Sequence, residues 1–336
     1  MANTEWQDFL TIQGAHIVDN FVQHFNVVKQ EAADAANSNI ICDLSHLGML
    51  EISGIDAATF LQGQVTNDVK LLDQNNAHYT GYCSPKGRLL ALFFAYTHDA
   101  NIYLQMNHAL IDAITKRLKM YVLRAKVMIQ NISNAKIRIG LSGESINTLL
   151  QPFFTELPSQ IFERKNSDQA TLIRLPGKIT RYELITTIEH AQHIWLSLKA
   201  HCTPVGVNAW EWLEIQSGIP DITITTQETF VPQMVNLDSL NGISLNKGCY
   251  TGQEIVARTH YLGKVKRKTY LGHIDSTLQV QIGADVSNQA HEIVGKIVRV
   301  AIAPLSGWDV LAEIRNEYVE EKQALFINGI ALEIKH

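Results

Sequence analysis

Lys247-Gly248-Cys249-Tyr250-Thr251-Gly252-Gln253-Glu254 sets one cysteine between two glycines, two residues after a lysine and just ahead of a helix-start pattern. Thr251 and Glu254 have the S/T-x-x-E spacing in which hydroxyl and carboxylate reciprocally cap a first helical turn, so Gln253 to Arg258 is expected to open a helix. Cys249 then lies near the positive end of that helix, and the Lys247 ammonium adds to the field; both favour thiolate over thiol. Gly248 and Gly252 supply the backbone freedom of a tight presenting loop. The opposing reading is a structural cysteine in an ordinary turn, the commoner fate of a free cysteine.

Working outward, the flanks read Gly218-Ile219-Pro220, Phe230-Val231-Pro232-Gln233, Asn236-Leu237 and Gly242-Ile243-Ser244 before the octapeptide, then Val256-Ala257-Arg258 and Lys266-Arg267 after it. An N-terminal block runs Ile52-Ser53-Gly54, Gln62-Gly63-Gln64-Val65-Thr66-Asn67-Asp68-Val69 and Lys86-Gly87-Arg88. Through these segments the chain resembles the YgfZ-type folate-binding proteins, relatives of the glycine-cleavage aminomethyltransferase, over about positions 40 to 270. An octapeptide with flanking blocks in order is specific in a way a lone glycine motif is not.

The resemblance implies an α+β fold: an aminomethyltransferase-like folate-binding α/β body over 1–259, in two subdomains, followed by a small C-terminal antiparallel β-barrel over 260–336. It also implies tetrahydrofolate or a folate derivative as cofactor. Cys249 and Lys247 are the expected reactive pair. Trp210, eight residues before Gly218, is the expected stacking surface for a pterin, although a helical tryptophan is by default core. Gln64, Asn67 and Asp68 are expected to contact the ligand from the N-terminal block, with Asn67-Asp68 also readable as a plain turn. Gln233, Asn236, Tyr250, Gln253, Glu254 and Arg258 complete the expected folate site.

Three departures narrow the expected activity. The aminomethyltransferase segment R-x-E-A-G, whose glutamate contacts the pterin, stands here as Glu214-Ile215-Gln216-Ser217-Gly218, with a neutral amide for the carboxylate. A second tryptophan of some relatives is Leu47 here. The acidic pair of the aminomethyltransferase is also absent from Lys86-Gly87-Arg88-Leu89-Leu90-Ala91-Leu92, which removes the obvious proton carrier for aminomethyl transfer. The leading expectation is therefore a folate-binding accessory protein that supports iron-sulfur cluster assembly or repair, including clusters of tRNA-modifying enzymes, through the Cys249 thiol. Its partners are then folate and iron-sulfur proteins or their assembly factors. The alternatives are a folate-dependent one-carbon transferase or demethylase, with Cys249 as nucleophile or redox partner, and a non-catalytic interaction protein whose octapeptide is a structural corner.

Composition sets outer limits. A chain of 336 residues has length for two or three domains, and 46% hydrophobic with 18% charged residues is ordinary for a globular protein. A formal net charge of −5 gives no basic footprint for strong nucleic-acid binding. Lys264, Lys266, Arg267 and Lys268 form a local basic cluster that reads best as a solvated strand or loop. The start shows no basic n-region with an apolar stretch, and no apolar run reaches membrane-spanning length, so no membrane association is expected. Four scattered cysteines lack metal or redox spacing, which fits a reducing cytoplasm. His190 and His193 share a helix face with no third ligand, leaving no expected metal site.

Up to about position 217 short strands and helices alternate. Thr4–Thr11 reads as a helix boxed by Thr4 and Gln7; Tyr79–Cys83, Arg88–Tyr96 and Ile102–Met106 read as successive strands. Ala109–Leu123 has helical apolar spacing, and Val207–Ser217 reads as a further helix. The weakly periodic Gly218–Asn246 is too long for an idle connection and reads as wall and floor of a site. Beyond His260 the texture turns to short alternating strands, as in a small barrel or sandwich.

Overall fold

The computed structural model describes residues 3–261 and 265–335. Two sheets and a barrel organise the chain. The first sheet has the order Ala77–Cys83, Leu89–His98, Asn101–Asn107, Leu47–Ser53, Met128–Asn131, with antiparallel neighbours throughout. Its first three strands are the predicted meander. Leu89–His98 is buried from Leu89 to Tyr96, which explains why it reads as a continuous apolar run rather than an alternating one.

The second sheet has the order Arg164–Asn166, Ala170–Leu175, Arg181–Thr186, Ile137–Ser142, Ile40–Asp43, Thr203–Val205, and only its last pair is parallel. Side chains alternate faces along a strand. Ile137, Ile139 and Leu141, with Tyr182 and Leu184, turn toward the helices Thr4–Ile12 and Ile188–Lys199 and form one core with Trp6 and Trp195. The other face carries Arg138, Gly140, Arg181 and Glu183, so charge lies inside the body instead of outside it. The helix Val207–Gln216 lies against this charged face, because the Trp210 ring occupies the space a Cβ on Gly140 would need, 2.5 Å from the nearest ring carbon.

The C-terminal strands close a six-stranded barrel in the order Arg267–Ile274, Trp308–Arg315, Ile293–Ile302, Asp285–Asn288, Leu325–Ile327, Ile330–Ile334. Closure leaves no sheet edge and surrounds a separate core including Ile274, Val286, Ile297 and Ile314. The α+β class and the barrel match the expectation.

Several local expectations are corrected. Asn3, not Thr4, caps the first helix, its side chain accepting from the Trp6 N–H at 3.2 Å. The signature helix spans Gln253–Tyr261, which puts Gly252 rather than Thr251 in the cap position. Lys264 lies outside the described residues; Arg267 of the same basic cluster pairs with Glu313 at 3.0 Å. The helix Val28–Asn37, the hairpin of His16–Val18 with Phe21–His24, and the strand Asp285–Asn288 had no counterpart in the sequence reading. The hairpin had a usable signal in Asp19-Asn20, both at positive φ (51° and 70°), as a two-residue primed turn requires. Among the described residues no helix is long and apolar enough to cross a membrane, and no group of three or more His, Cys, Asp or Glu is placed to hold a metal ion.

Candidate functional site

Two features bear on function, a surface corner and an internal cavity. At the corner, Cys249 is exposed, whereas Cys42, Cys83 and Cys202 are buried. Burial pushes the Cys83 and Cys202 thiols up to about 12 and about 11, and raises Cys42 with help from the neighbouring Asp43 charge. Those three are held as thiols at neutral pH. Cys249 alone meets solvent.

The residues around Cys249 are braced on every side. Gly252, at φ +84°, lies so close to the turn after the Ala77–Cys83 strand that an added Cβ would sit 2.5 Å from the Ser84 carbonyl oxygen and 2.9 Å from Gly87 Cα. Gly87, at φ +68°, in turn leaves room for Ile255 of the signature helix. Lys247 is buried, and its ammonium donates to the Val65 and Asn67 carbonyls at 2.6 and 2.8 Å while lying 5.0 Å over the Tyr250 ring. Burial brings that ammonium down to about 8, against the opposing pull of Asp68. Lys247 thus clamps the corner to the 65–67 segment. Among the described residues the buried Tyr250 hydroxyl has no hydrogen-bond partner, and burial raises its pKa.

Several of the other expected ligand contacts also act as braces. Asn67 donates to the Tyr79 and Asn241 carbonyls at 3.0 and 2.8 Å. Asp68 caps the short turn Val69–Leu71 and accepts from Gln62 at 2.8 Å, which supports the plain-turn reading of this pair. Gln233 donates to the Val256 carbonyl at 2.7 Å, pinning the signature helix. Asn236, left-handed at φ 57°, donates to the Thr269 carbonyl at 2.7 Å and so ties the long segment to the barrel. Gln64 keeps a buried, unpartnered side-chain oxygen. On the signature helix Glu254 and Arg258 are exposed and Gln253 is half-buried.

The cavity lies elsewhere, between the two body sheets and the helix Val207–Gln216, with a volume of about 50 Å³. Trp210 lines it, as do Leu47, Tyr79, Phe94, Gln105, Glu183, Glu214, Asp221 and Arg299. Of the twelve expected site residues only Trp210 is in that lining, so Cys249 does not stand at the mouth of this cleft. Arg181 lies over the Trp210 ring at 5.1 Å and pairs with Glu214 at 3.2 Å. Arg299 reaches in from the barrel to Glu211 at 2.9 Å and Glu214 at 3.1 Å.

Burial dominates the cavity's titration. It pushes Glu183 up to about 7, against hydrogen bonding from Gln105 and the charge of Arg138, and Glu211 up to about 7, against Arg299. It brings His46 down to about 3, with Arg299 adding to the effect. Gln216, where the pterin-contacting carboxylate was sought, points to the barrel and donates to Asp309 at 2.8 Å. The carboxylates of the cavity are Glu183, Glu214 and Asp221, which sequence reasoning missed. Glu214 sits two residues before Gln216, a half-turn displacement on the same helix that only the helix's orientation discloses.

Comparison with known proteins places the chain. The GCVT N-terminal domain family matches residues 7–244. The tRNA-modifying protein YgfZ of Colwellia psychrerythraea is 34% identical over 230 residues, covering 68% of this chain and 70% of that protein. Its namesake from Yersinia pestis is 32% identical over 230 residues, covering 68% and 69%. The crystal structure of the glycine cleavage system aminomethyltransferase T from Bartonella henselae superposes with a TM-score of 0.80 at 14% identity, covering 99% of this chain and 96% of that one, a likeness of fold. The chain belongs to the GCVT N-terminal domain family, alongside the proteins named tRNA-modifying protein YgfZ.

Proposed function

We propose that the chain is a folate-binding accessory protein of tRNA modification, in which the Cys249 thiol supports the iron-sulfur clusters of tRNA-modifying enzymes. The observation that carries this reading is the placement of Cys249: the one exposed thiol of four, on a corner held by Lys247, Gly252 and Gln233. A cysteine kept only for packing has no need of exposure. The name shared by the relatives supplies the tRNA context.

The cavity bears on the folate part. Its acceptor set fits: unpartnered buried oxygens on Glu183 and Gln105, with Trp210, Tyr79 and Phe94 as apolar wall, suit the hydrogen-bonding edge of a pterin. A volume of about 50 Å³ holds a few waters, so admission of a whole bicyclic ring requires the lining to move. When bound, folate supplies one-carbon carrier chemistry. The protein's own residues there orient the ring edge and exclude water.

Cells lacking the protein, complemented with wild type or Cys249→Ser, test the reading by mass spectrometry of tRNA nucleosides. Cys249→Ser is expected to leave thiolated nucleosides at least threefold below wild type at equal protein level. Full restoration by Cys249→Ser overturns the role of the thiol. One observation favours the folate-dependent transferase as a second reading: Glu183, at about 7, is a carboxylate poised for proton transfer near neutral pH. Accumulation of a one-carbon folate, with normal tRNA, marks that outcome.

A further inference from the structure

The helix Ile111–Met120 buries Ile111, Ile114 and Leu118 in the body, but the turn that follows it presents apolar side chains to solvent. Leu123, within that turn, is 89% exposed and sits at φ 45°. Left-handed backbone crowds any residue with a Cβ, so a leucine there gains neither from conformation nor from burial. Met120 is 60% exposed and Met128 55%. Ile55, 85% exposed, flanks the same turn: the Asp56 N–H donates to the Lys126 carbonyl, and the Asp56 carboxylate accepts from the Lys126 N–H at 2.7 Å. Met128 pairs with Ser53 beside it. Single exposed apolar residues are ordinary, whereas four gathered round one turn form a patch.

The charge around this patch is positive. Lys116, Lys119, Arg124 and Lys126 are exposed, and among the described residues none of them enters an ion pair. No acidic residue stands between Asp112 and Glu144, in a chain whose formal net charge is −5. Arg117, on the same helix, lies against the Tyr82 hydroxyl. Tyr82 bridges Val65, whose carbonyl receives the Lys247 ammonium at 2.6 Å. The patch therefore adjoins the corner that carries Cys249.

We propose that this turn docks an acidic protein partner whose surface offers an apolar cleft rimmed by carboxylates, with Leu123 seated in the cleft and Lys119, Arg124 and Lys126 meeting the rim. Free cations at the edge of a contact steer an oppositely charged partner and fix its register. Methionine side chains on either side of the leucine adapt to the walls of a cleft. RNA fits this surface less well, because it is gripped through stacked aromatic faces and Tyr121 is the only aromatic residue between Leu118 and Met128. An anionic bilayer also fits less well, since the apolar side of the helix is committed to the body and cannot lie in the headgroup plane. The inference goes beyond the folate and thiol reading and requires neither. A partner seated on the patch lies next to the exposed thiol.

Titration of the full chain against four probes tests it: a helical Glu/Leu peptide, a Glu/Ser peptide of equal charge, a single-stranded oligouridylate and phosphatidylglycerol vesicles. Fluorescence anisotropy reads the first three and co-sedimentation the vesicles. Wild type is expected to bind the Glu/Leu peptide at least tenfold more tightly than the Glu/Ser peptide or the oligouridylate, and to leave the vesicles unbound. Leu123→Gly suits the left-handed backbone, so it is expected to keep Tm at or above that of wild type while weakening the Glu/Leu peptide at least fivefold. Lys119→Glu combined with Arg124→Glu changes only exposed side chains and is expected to weaken the same peptide at least fivefold. Equal binding of the two peptides, tighter binding of the oligouridylate or the vesicles, no binding of any probe, or an affinity indifferent to both variants overturns the proposal. Self-association of the chain that both variants abolish also overturns it, by assigning the patch to a second copy. The tRNA nucleosides of Cys249→Ser cells report on the thiol alone, so failure of that reading and failure of this one are told apart.

Discussion

Glu183 and His46 line one cavity, and burial moves them in opposite directions. Glu183 keeps its proton up to about 7, while an unfolded chain releases it near the ordinary carboxylate range; stability therefore falls as pH rises through that window. His46 stays neutral down to about 3, whereas an unfolded histidine gains its proton near the ordinary value of 6.5; stability here falls as pH drops below that value. Arg138, Arg181 and Gln105 oppose the Glu183 shift and Glu214 adds to it, yet burial outweighs them. Glu183→Gln is expected to raise folding stability by about 1–3 kcal/mol at pH 8 and by much less at pH 5. Urea unfolding at the two pH values reads this directly, and an equal change at both would show that charge burial is not the cause. At this scale the sequence was informative where chemistry and exposure coincide, as at Cys249. It was silent at Glu183, because a single glutamate in Arg181-Tyr182-Glu183-Leu184 reads as the wet side of a strand; only the first sheet and the helix Val207–Gln216 packed against it turn that side inward.

Elements explain why the corner holds. The turn after the Ala77–Cys83 strand and the start of the signature helix meet backbone to backbone, a fit possible only with glycine on both sides. Gly252→Ala adds a Cβ 2.5 Å from the Ser84 carbonyl oxygen at φ +84°, and is expected to cost about 2 kcal/mol or more. Thermal unfolding measures the cost; alkylation of Cys249 is expected to speed up in the same variant as the helix lifts, and an unchanged Tm with an unchanged alkylation rate would sink this account. Element type was legible wherever alternation or helical spacing was strong, as in Tyr79–Met106 and Val207–Ser217. Val28–Asn37, with its alanine-rich run, offered little apolar contrast, and Asp285-Val286-Ser287-Asn288 has residues that favour turns over strands. Pairing on both sides inside a closed barrel makes that last segment a strand.

Across the whole molecule, two charged joints fasten the barrel to the helix Val207–Gln216, besides the Asn236–Thr269 tie. One is Arg299 with Glu211 and Glu214; the other is Asp309, which accepts from Trp212 at 2.8 Å, Gln216 at 2.8 Å and Lys335 at 2.7 Å, beside His273. Arg299→Ala takes the guanidinium from Glu211 and leaves Glu214 with Arg181 alone, and is expected to destabilise by about 3–5 kcal/mol. Coupling it with Glu211→Leu and Glu214→Leu is expected to return part of that loss; chemical denaturation of the single and triple variants decides, and additive losses would refute the joint. The barrel's presence was legible from texture alone, whereas its joints were not, since an arginine within Ile297-Val298-Arg299-Val300 gives no hint of the helix it meets. The solitary accessible sulfur at position 249 has a practical corollary. A spin label or dye attached there needs no background cysteines removed, and its mount is stiff enough for the probe to tumble with the protein as one body.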